Sequence, residues 1–370
     1  MKLQVLQENF SKALTLASRF SSSRAQLPVL GNILLASSKN KLSISATNLE
    51  ISIALAIGAK VEKEGAITVP SRIITDIISN LAPGAINLEA EKEQLKISAE
   101  NFSSVVSGMN PSDFPEVPRV IGKAALTLPK EEFLETLSQV LFAASIDDTR
   151  PVLTGVLLIF KKGQLIAVAT DGFRLSQKKM TLKERVKEGR LILPRNVLLE
   201  ALRLAGEGTT LSLETKTGEK QCVFGIDDTV LSSRVIEGEF PDFERIIPKE
   251  STLKINLDKE DLLRAVKLAS IFARDSANIV EMKVAKGSVL LSAESQISGS
   301  QEAQVEARVE GLTSAGFEIS FNYRFLEEFL HAAKGEEIQL EFSSPSAPGI
   351  FTDPKDPSFL HLIMPVRIQP

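Results

Sequence analysis

The sequence has no tryptophan, one tyrosine, one cysteine and two histidines, and each scarcity narrows what the chain does. A lone Cys222 cannot close a disulfide within the chain, so a reducing cytoplasm is the expected compartment. With that one thiol, His331 and His361 make no cluster at metal-ligand spacing. His331 falls in the last turn of the helix ending FLHAAKG and His361 on a strand, and both read as structural or surface residues. No GxxxxGK[ST] loop, no GxGxxG opening a helix and no GxSxG elbow occurs, so no cofactor is called for. No apolar run approaches the ~18 residues of a membrane span, and MKLQVLQENFSKAL lacks a stretch of signal-peptide length. Basic residues are not in excess: 43 Lys and Arg stand against 47 Asp and Glu, for a net charge of −4. That excludes a surface that is basic all over and leaves room for a local basic patch.

What is present is repetition. ISATNLEISI (Ile44 to Ile53) resembles VATDGFRLSQ (Val168 to Gln177) and LSAESQISGS (Leu291 to Ser300). Ala46, Ala169 and Ala293 then align at intervals of 123 and 124 residues. A second landmark, strand into helix, recurs as ITVPSRIITDIISNL, LILPRNVLLEALRLA and FEISFNYRFLEEFLHAA. A third precedes both: ENFSKALTLASRF, EEFLETLSQVLFAA and EDLLRAVKLASIFA. Three landmarks in one order at matching spacing define three copies of a unit.

Each copy carries two helical patterns. Phe133, Leu134, Leu137, Val140 and Leu141 share one face of a helix over Glu131 to Ala144, and Ser71 and Asn196 read as helix openings. The remainder alternates apolar and polar, as half-buried strand does. The fold class is therefore α+β: three repeated domains, each with two helices packed on antiparallel sheet. Pro-rich joints place the domains at 1–121, 122–250 and 251–370.

Acidic neighbours Asp147-Asp148, Asp227-Asp228 and Glu327-Glu328 diverge on strand or helix, so they read as solvated surface rather than acid–base pairs. Lys178 to Arg190 reads as a mixed-charge connector in solvent. Asp171-Gly172 between two alternating runs is a hairpin signal in which both residues take positive φ. Copies one and three put Asn48-Leu49 and Ser295-Gln296 at that point, but Phe173-Arg174 belongs to the middle copy alone.

LPVLGNILL, RPVLTGVLL, VATDGFRLS, LILPR, GEFPDFERIIP and MPVR, on a triplicated α+β chain, resemble the bacterial DNA polymerase III beta subunit, the replicative sliding clamp, over essentially the whole length. The resemblance implies a non-catalytic, cytoplasmic processivity factor. It implies a head-to-tail homodimer, each chain half of a closed ring that encircles duplex DNA without sequence preference and slides along it. It also implies a hydrophobic pocket for short motifs of replicative and translesion polymerases, the clamp loader, mismatch repair proteins and ligase. By family position the pocket residues are Leu153, Thr170, Gly172, Phe173, Arg174, Leu175, Pro241, Arg245, Ile246, Pro345, Leu362, Met364, Pro365, Val366 and Arg367. Arg24 and Arg150 are the implied DNA contacts, and Val106, Ile271 and Phe272 the implied dimer interface. Two other readings stay open from the residues themselves: a scaffold with no DNA role, and a hydrolase or transferase using Asp171 and Arg174.

Overall fold

Alternating segments become antiparallel strand in all three copies, and each 3.6-residue pattern becomes a helix. The computed structural model describes residues 1–22, 27–123, 125–184, 186–216, 218, 220–314 and 316–367. The first copy opens with β1 (Lys2–Leu6) and α1 (Gln7–Ala17), then β2 (Asn32–Ser38), β3 (Lys41–Thr47) and β4 (Ile51–Gly58). It continues with β5 (Lys60–Lys63), β6 (Gly65–Pro70) and α2 (Ser71–Ser79), and closes with β7 (Ala85–Glu91), β8 (Gln94–Ala99) and β9 (Phe102–Ser107). The second runs β10 (Leu126–Thr127), α3 (Lys130–Val140), β11 (Gly155–Lys161), β12 (Gln164–Thr170) and β13 (Arg174–Thr181). After it come β14 (Gly189–Pro194), α4 (Arg195–Glu207), β15 (Leu211–Lys216), β16 (Gln221–Ile226) and β17 (Thr229–Arg234). The third has β18 (Leu253–Asp258), α5 (Lys259–Ala273), β19 (Ile279–Ala285), β20 (Ser288–Ser295) and β21 (Gly299–Glu310). It ends with β22 (Phe317–Asn322), α6 (Tyr323–Ala332), β23 (Glu337–Phe342), β24 (Gly349–Asp353) and β25 (Asp356–Ile363).

Local chemistry accounts for the helix ends. Asp258 caps α5, its carboxylate accepting from the Asp261 N–H at 2.9 Å, with Glu260 and Asp261 in the positive first turn. Asn322 caps α6 by accepting from the Arg324 N–H at 3.0 Å. Ser71 is not a cap: α2 starts on it, and Pro70, with no side-chain hydrogen bond to give, occupies the capping position. In α3 the buried Phe133, Leu137 and Val140 follow the expected stripe, but the helix stops at Val140 and tightens into a 3₁₀ turn over Leu141–Ala143.

The chain divides into two compact units, residues 1–130 with 199–235, and residues 131–198 with 236–370. The middle copy therefore gives strands to both. The first unit holds a five-stranded sheet, β5-β1-β7-β8-β9, and an eight-stranded one, β10-β15-β16-β17-β4-β3-β2-β6. The second holds twelve strands in the order β14-β11-β12-β13-β25-β24-β23-β18-β21-β20-β19-β22. Under α5 and α6 lies an aromatic core, in which Phe321, Phe342, Phe351 and Phe329 stack edge or face with centroids 5.5–6.2 Å apart.

Each unit contains a seam where two copies share a sheet, and the two seams have the same register. In the first unit β17 runs antiparallel to β4, with Ser232 opposite Ser52 and Leu231 opposite Ile53. In the second, β25 runs antiparallel to β13, with Leu362 opposite Leu175 and His361 opposite Ser176. One more hydrogen bond closes each seam: Arg234 N–H to the Glu50 carbonyl at 2.9 Å, and Met364 N–H to the Phe173 carbonyl at 2.8 Å.

Candidate binding groove at the second seam

The loop ahead of Arg174 is not the expected two-residue turn. Thr170 pairs with Leu175, so residues 171–174 make the turn, and only Gly172 has positive φ, at 92°. The cause is the Asp171 side chain: its Oδ1 accepts from the N–H groups of Phe173 (2.9 Å) and Arg174 (3.0 Å). Thr170 Oγ1 accepts from Gly172 N–H at 3.0 Å and donates to the Arg174 carbonyl at 2.6 Å. Copy one repeats this, Asn48 Oδ1 accepting from Glu50 and Ile51, with Leu49 at φ 76°. In copy three Ser295 Oγ accepts from Ile297 and Ser298. The aligned residues thus cap the turn in all three copies.

The middle copy differs in the arginine that ends its turn. Arg174 is 8% exposed. Its Nε donates to Asp171 Oδ2 at 3.0 Å, its Nη2 to the Phe142 carbonyl at 2.6 Å, and its Nη1 to Glu328 of α6. The guanidinium lies 4.5 Å from the Phe325 ring centroid and 5.4 Å from that of Phe142. Arg174 was expected among the pocket residues; it is buried because α6 and the end of α3 close over it. Glu328, expected in solvent, is its ion-pair partner for the same reason. Asp171 and Arg174, the residues of the hydrolase reading, are both committed to holding the turn.

Phe173 instead faces out, 62% exposed. Beside it Met364 is also exposed, tied through its own N–H to the Phe173 carbonyl. Beneath lies an apolar floor in which Leu175, Leu362, Ile350 and Phe243 are buried together, with Val152 partly covered against them. Leu153 and Thr170 are buried supports. Pro241, Arg245 and Ile246 are exposed on the segment that Phe243 anchors, and Arg245 pairs with Asp242 at 2.7 Å. Pro345 is exposed between β23 and β24; Pro365 and Val366 are half-buried, and Arg367 is exposed. All of the implied pocket positions fall in the second unit. The first seam offers the same backbone with Leu27, Glu50 and Arg234 where the second has Arg150, Phe173 and Met364, so the side chains distinguish the two seams.

Arg150, implied as a DNA contact, is exposed and reaches the turn. Its Nη2 donates to the Asp171 carbonyl at 3.1 Å, and its Nη1 lies 3.2 Å from where a Cβ on Gly172 would stand. Arg24 lies outside the described residues. Within the first unit, Lys12 of α1, Arg19 of the 3₁₀ turn that follows it (Ser18–Phe20) and Arg203 of α4 line an open groove of ≈ 480 Å³, where Arg19 pairs with Glu200 at 3.5 Å.

Buried polar groups line the second seam. Lys178 belongs to β13, not to a solvated connector, because β25 pairs along it and covers the side chain. His361 is fully buried, with Nδ1 2.7 Å from Ser176 Oγ, Phe142 and Phe329 against its ring, and no partner for Nε2 among the described residues. Burial, then the nearby Arg174 charge, holds its pKa well below the ordinary histidine value. Cys222 is also buried, which pushes its thiol far above the usual range and makes it inert. Among the described residues no cluster of His, Cys, Asp or Glu is arranged for a metal, and no helix is long and apolar enough to cross a membrane.

Of the implied interface residues, Val106 points inward at 5% exposure, and its neighbour Val105 faces out at 57%. The strand parity puts alternate side chains on opposite faces, so Val105 and not Val106 is the side chain this strand exposes. Ile271 is exposed and Phe272 half-buried at the end of α5, with Phe272 Cε1 3.9 Å from where a Gly299 Cβ would stand.

Repeated α+β modules that share sheets edge to edge across matching seams define the clamp class of fold. Three family models of the DNA polymerase III beta subunit match in order: the N-terminal domain over residues 1–118, the central domain over 127–242 and the C-terminal domain over 244–367. A beta sliding clamp of Synechocystis is 31% identical, with all of both chains covered. A C. crescentus beta sliding clamp structure is 28% identical at a TM-score of 0.92, covering 100% of this chain and 99% of that one; it holds polyethylene glycol at a putative beta-motif tethering region. The Bacillus subtilis sliding clamp, 24% identical, superimposes with a TM-score of 0.94 over the whole of both chains and shows the shared fold. The chain belongs to the DNA polymerase III beta subunit family, the sliding clamps that act as DNA polymerase processivity factors.

Proposed function

We propose that two copies join head to tail through β9 of one and β21 of the other, closing a ring around duplex DNA. The observation that carries this is the repeated seam. In both seams the last strand of one copy lies on the third strand of the preceding copy's hairpin sheet, in one register. β9 is the last strand of copy one and pairs only with β8 among the described residues. The first half of β21 is the counterpart of β4 and β13, and among the described residues it pairs only with β20. Open edges of this kind invite pairing with another chain. One chain thus carries both halves of a third seam that it cannot close alone, and two copies close two of them. The seam register sets Val105 opposite Ser300 and Ser104 opposite Gln301.

In this reading the domains are 1–121, 122–250 and 251–370, the protein is cytoplasmic and it catalyses nothing. Lys12, Arg19 and Arg203 supply weak, salt-sensitive attraction for phosphates, while enclosure supplies retention. The Phe173–Met364 groove receives short apolar motifs of polymerases, loader and repair proteins. Two buried anchors at roughly 1.5–3 kcal/mol each and backbone hydrogen bonds at about 1 kcal/mol each, less the ordering of the motif, leave affinity no tighter than about micromolar, which lets partners exchange.

Sedimentation of the purified protein tests the ring: the expected mass is twice 40.2 kDa. Val105→Cys combined with Ser300→Cys is expected to form an inter-chain disulfide, with Cys222 buried and silent. A monomer at micromolar concentration, or no crosslink in the paired variant, overturns the proposal.

A further inference from the structure

We propose that Arg174, Glu328 and Phe325 form a brace that holds Phe173 in place at the groove, so that α6 sets partner affinity without touching the partner. The inference rests on the groove reading above and deepens it. Each of the three Arg174 guanidinium nitrogens reaches a different element: its own turn at Asp171, α6 at Glu328, and the 3₁₀ turn after α3 at Phe142. Rings of Phe325 and Phe142 flank the same group. A guanidinium so fixed is a positioning residue, not a ligand contact.

The three copies say what the brace is for. Copy one has Ile51 at this place and copy three Gly299, and both turns form on side-chain caps without an arginine, copy three adding only a bond from Ser298 Oγ to the Asp275 carboxylate at 2.8 Å. The middle turn has the same cap in Asp171, so it does not need an arginine to form. What Arg174 adds is a tie from the turn to two further elements. The residue immediately before it is Phe173, whose ring is exposed and whose carbonyl accepts from Met364. Fixing residue 174 therefore fixes both exposed apolar members of the groove before a partner arrives, and a site ordered in advance binds more tightly.

Glu328 is the place to test this, because its side chain is 45% exposed and its replacement opens no core cavity. The probe is a fluorescein-labelled peptide with Leu and Phe anchors, titrated by anisotropy against the full-length protein. Trifluoromethylphenylalanine placed at position 173 reports the turn by fluorine NMR. Glu328→Gln is expected to weaken the peptide about five- to tenfold and to broaden the fluorine signal. Glu328→Asp restores part of both, and the dimer mass is unchanged. Met364→Ala serves as the groove control. If Met364→Ala weakens binding while Glu328→Gln binds like the wild type with an unaltered fluorine signal, the brace is overturned and the groove stands. If Met364→Ala itself binds like the wild type, the groove reading fails and the proposal fails with it.

Discussion

Lys178 sets its ammonium 2.5 Å from the Asp356 carboxylate across the second seam, and its side chain is only 7% exposed. Glu135 of α3 lies 3.2 Å from the same nitrogen, and Gln139 donates to Asp356 at 3.2 Å. Burial pushes the Asp356 carboxyl up, but the hydrogen bonds from Lys178, Ser358 and Gln139 outweigh it and the pKa is lowered. The matching place in the first seam is Leu55, so this ion pair belongs to one seam only.

Removing one member leaves a carboxylate covered and unpaired. Lys178→Met is expected to destabilise the protein by about 3 kcal/mol, read as a lower urea midpoint. Pairing it with Asp356→Leu should recover most of that loss. A Lys178→Met protein as stable as the wild type would show that the pair carries no weight.

His361 predicts a pH dependence. Its folded pKa is depressed, so the unfolded chain binds the proton more readily. Stability is complete above the unfolded value of 6.5 and falls as pH drops below it. The slope is about 1.4 kcal/mol per pH unit until the folded pKa is reached. Urea midpoints at pH 7.5 and 5.5 measure it, and His361→Gln should flatten the difference whatever its own stability.

Gly172 holds the one positive φ of the groove turn, and a side chain there also meets Arg150. Gly172→Ala should therefore cost about 1 kcal/mol by thermal unfolding. Gly172→Asn should cost less, since Asn tolerates that region and Leu49 occupies it in copy one.

Val105→Arg puts a charge on the open edge of β9, outside the core of the first unit. The expected result is a dimer weakened about thirtyfold, visible by sedimentation, with thermal unfolding of each unit unchanged. A control at Val106 should instead destabilise the fold, because that side chain is buried.

Much of the fold was legible because it depends on local pattern. The alignment of Asn48, Asp171 and Ser295 rested on flanking apolar residues, and all three prove to cap the same turn. The stripe of α3 and the strands of each copy follow from their periods. The errors fall where a distant segment covers a residue. Lys178 and Glu328 look solvated in sequence, and only the approach of β25 and α6 buries or pairs them. The hydrogen bond from Arg150 to the Asp171 carbonyl likewise appears only in the fold. Val106 and Val105 are adjacent, and which one faces outward depends on the register with β8.

By itself the sequence determined three copies of one α+β unit, the residues that cap their turns, and the oddity of Phe173-Arg174 in the middle copy. These are short-range properties, written in spacing and backbone preference. Tertiary structure alone decided that Arg174 is buried, that Phe173 and Met364 share a seam, and that β9 and the first half of β21 each keep an edge unpaired among the described residues. Those depend on segments nearly 200 residues apart meeting in one register, and hydrogen bonds across a seam carry no mark in either strand's own sequence.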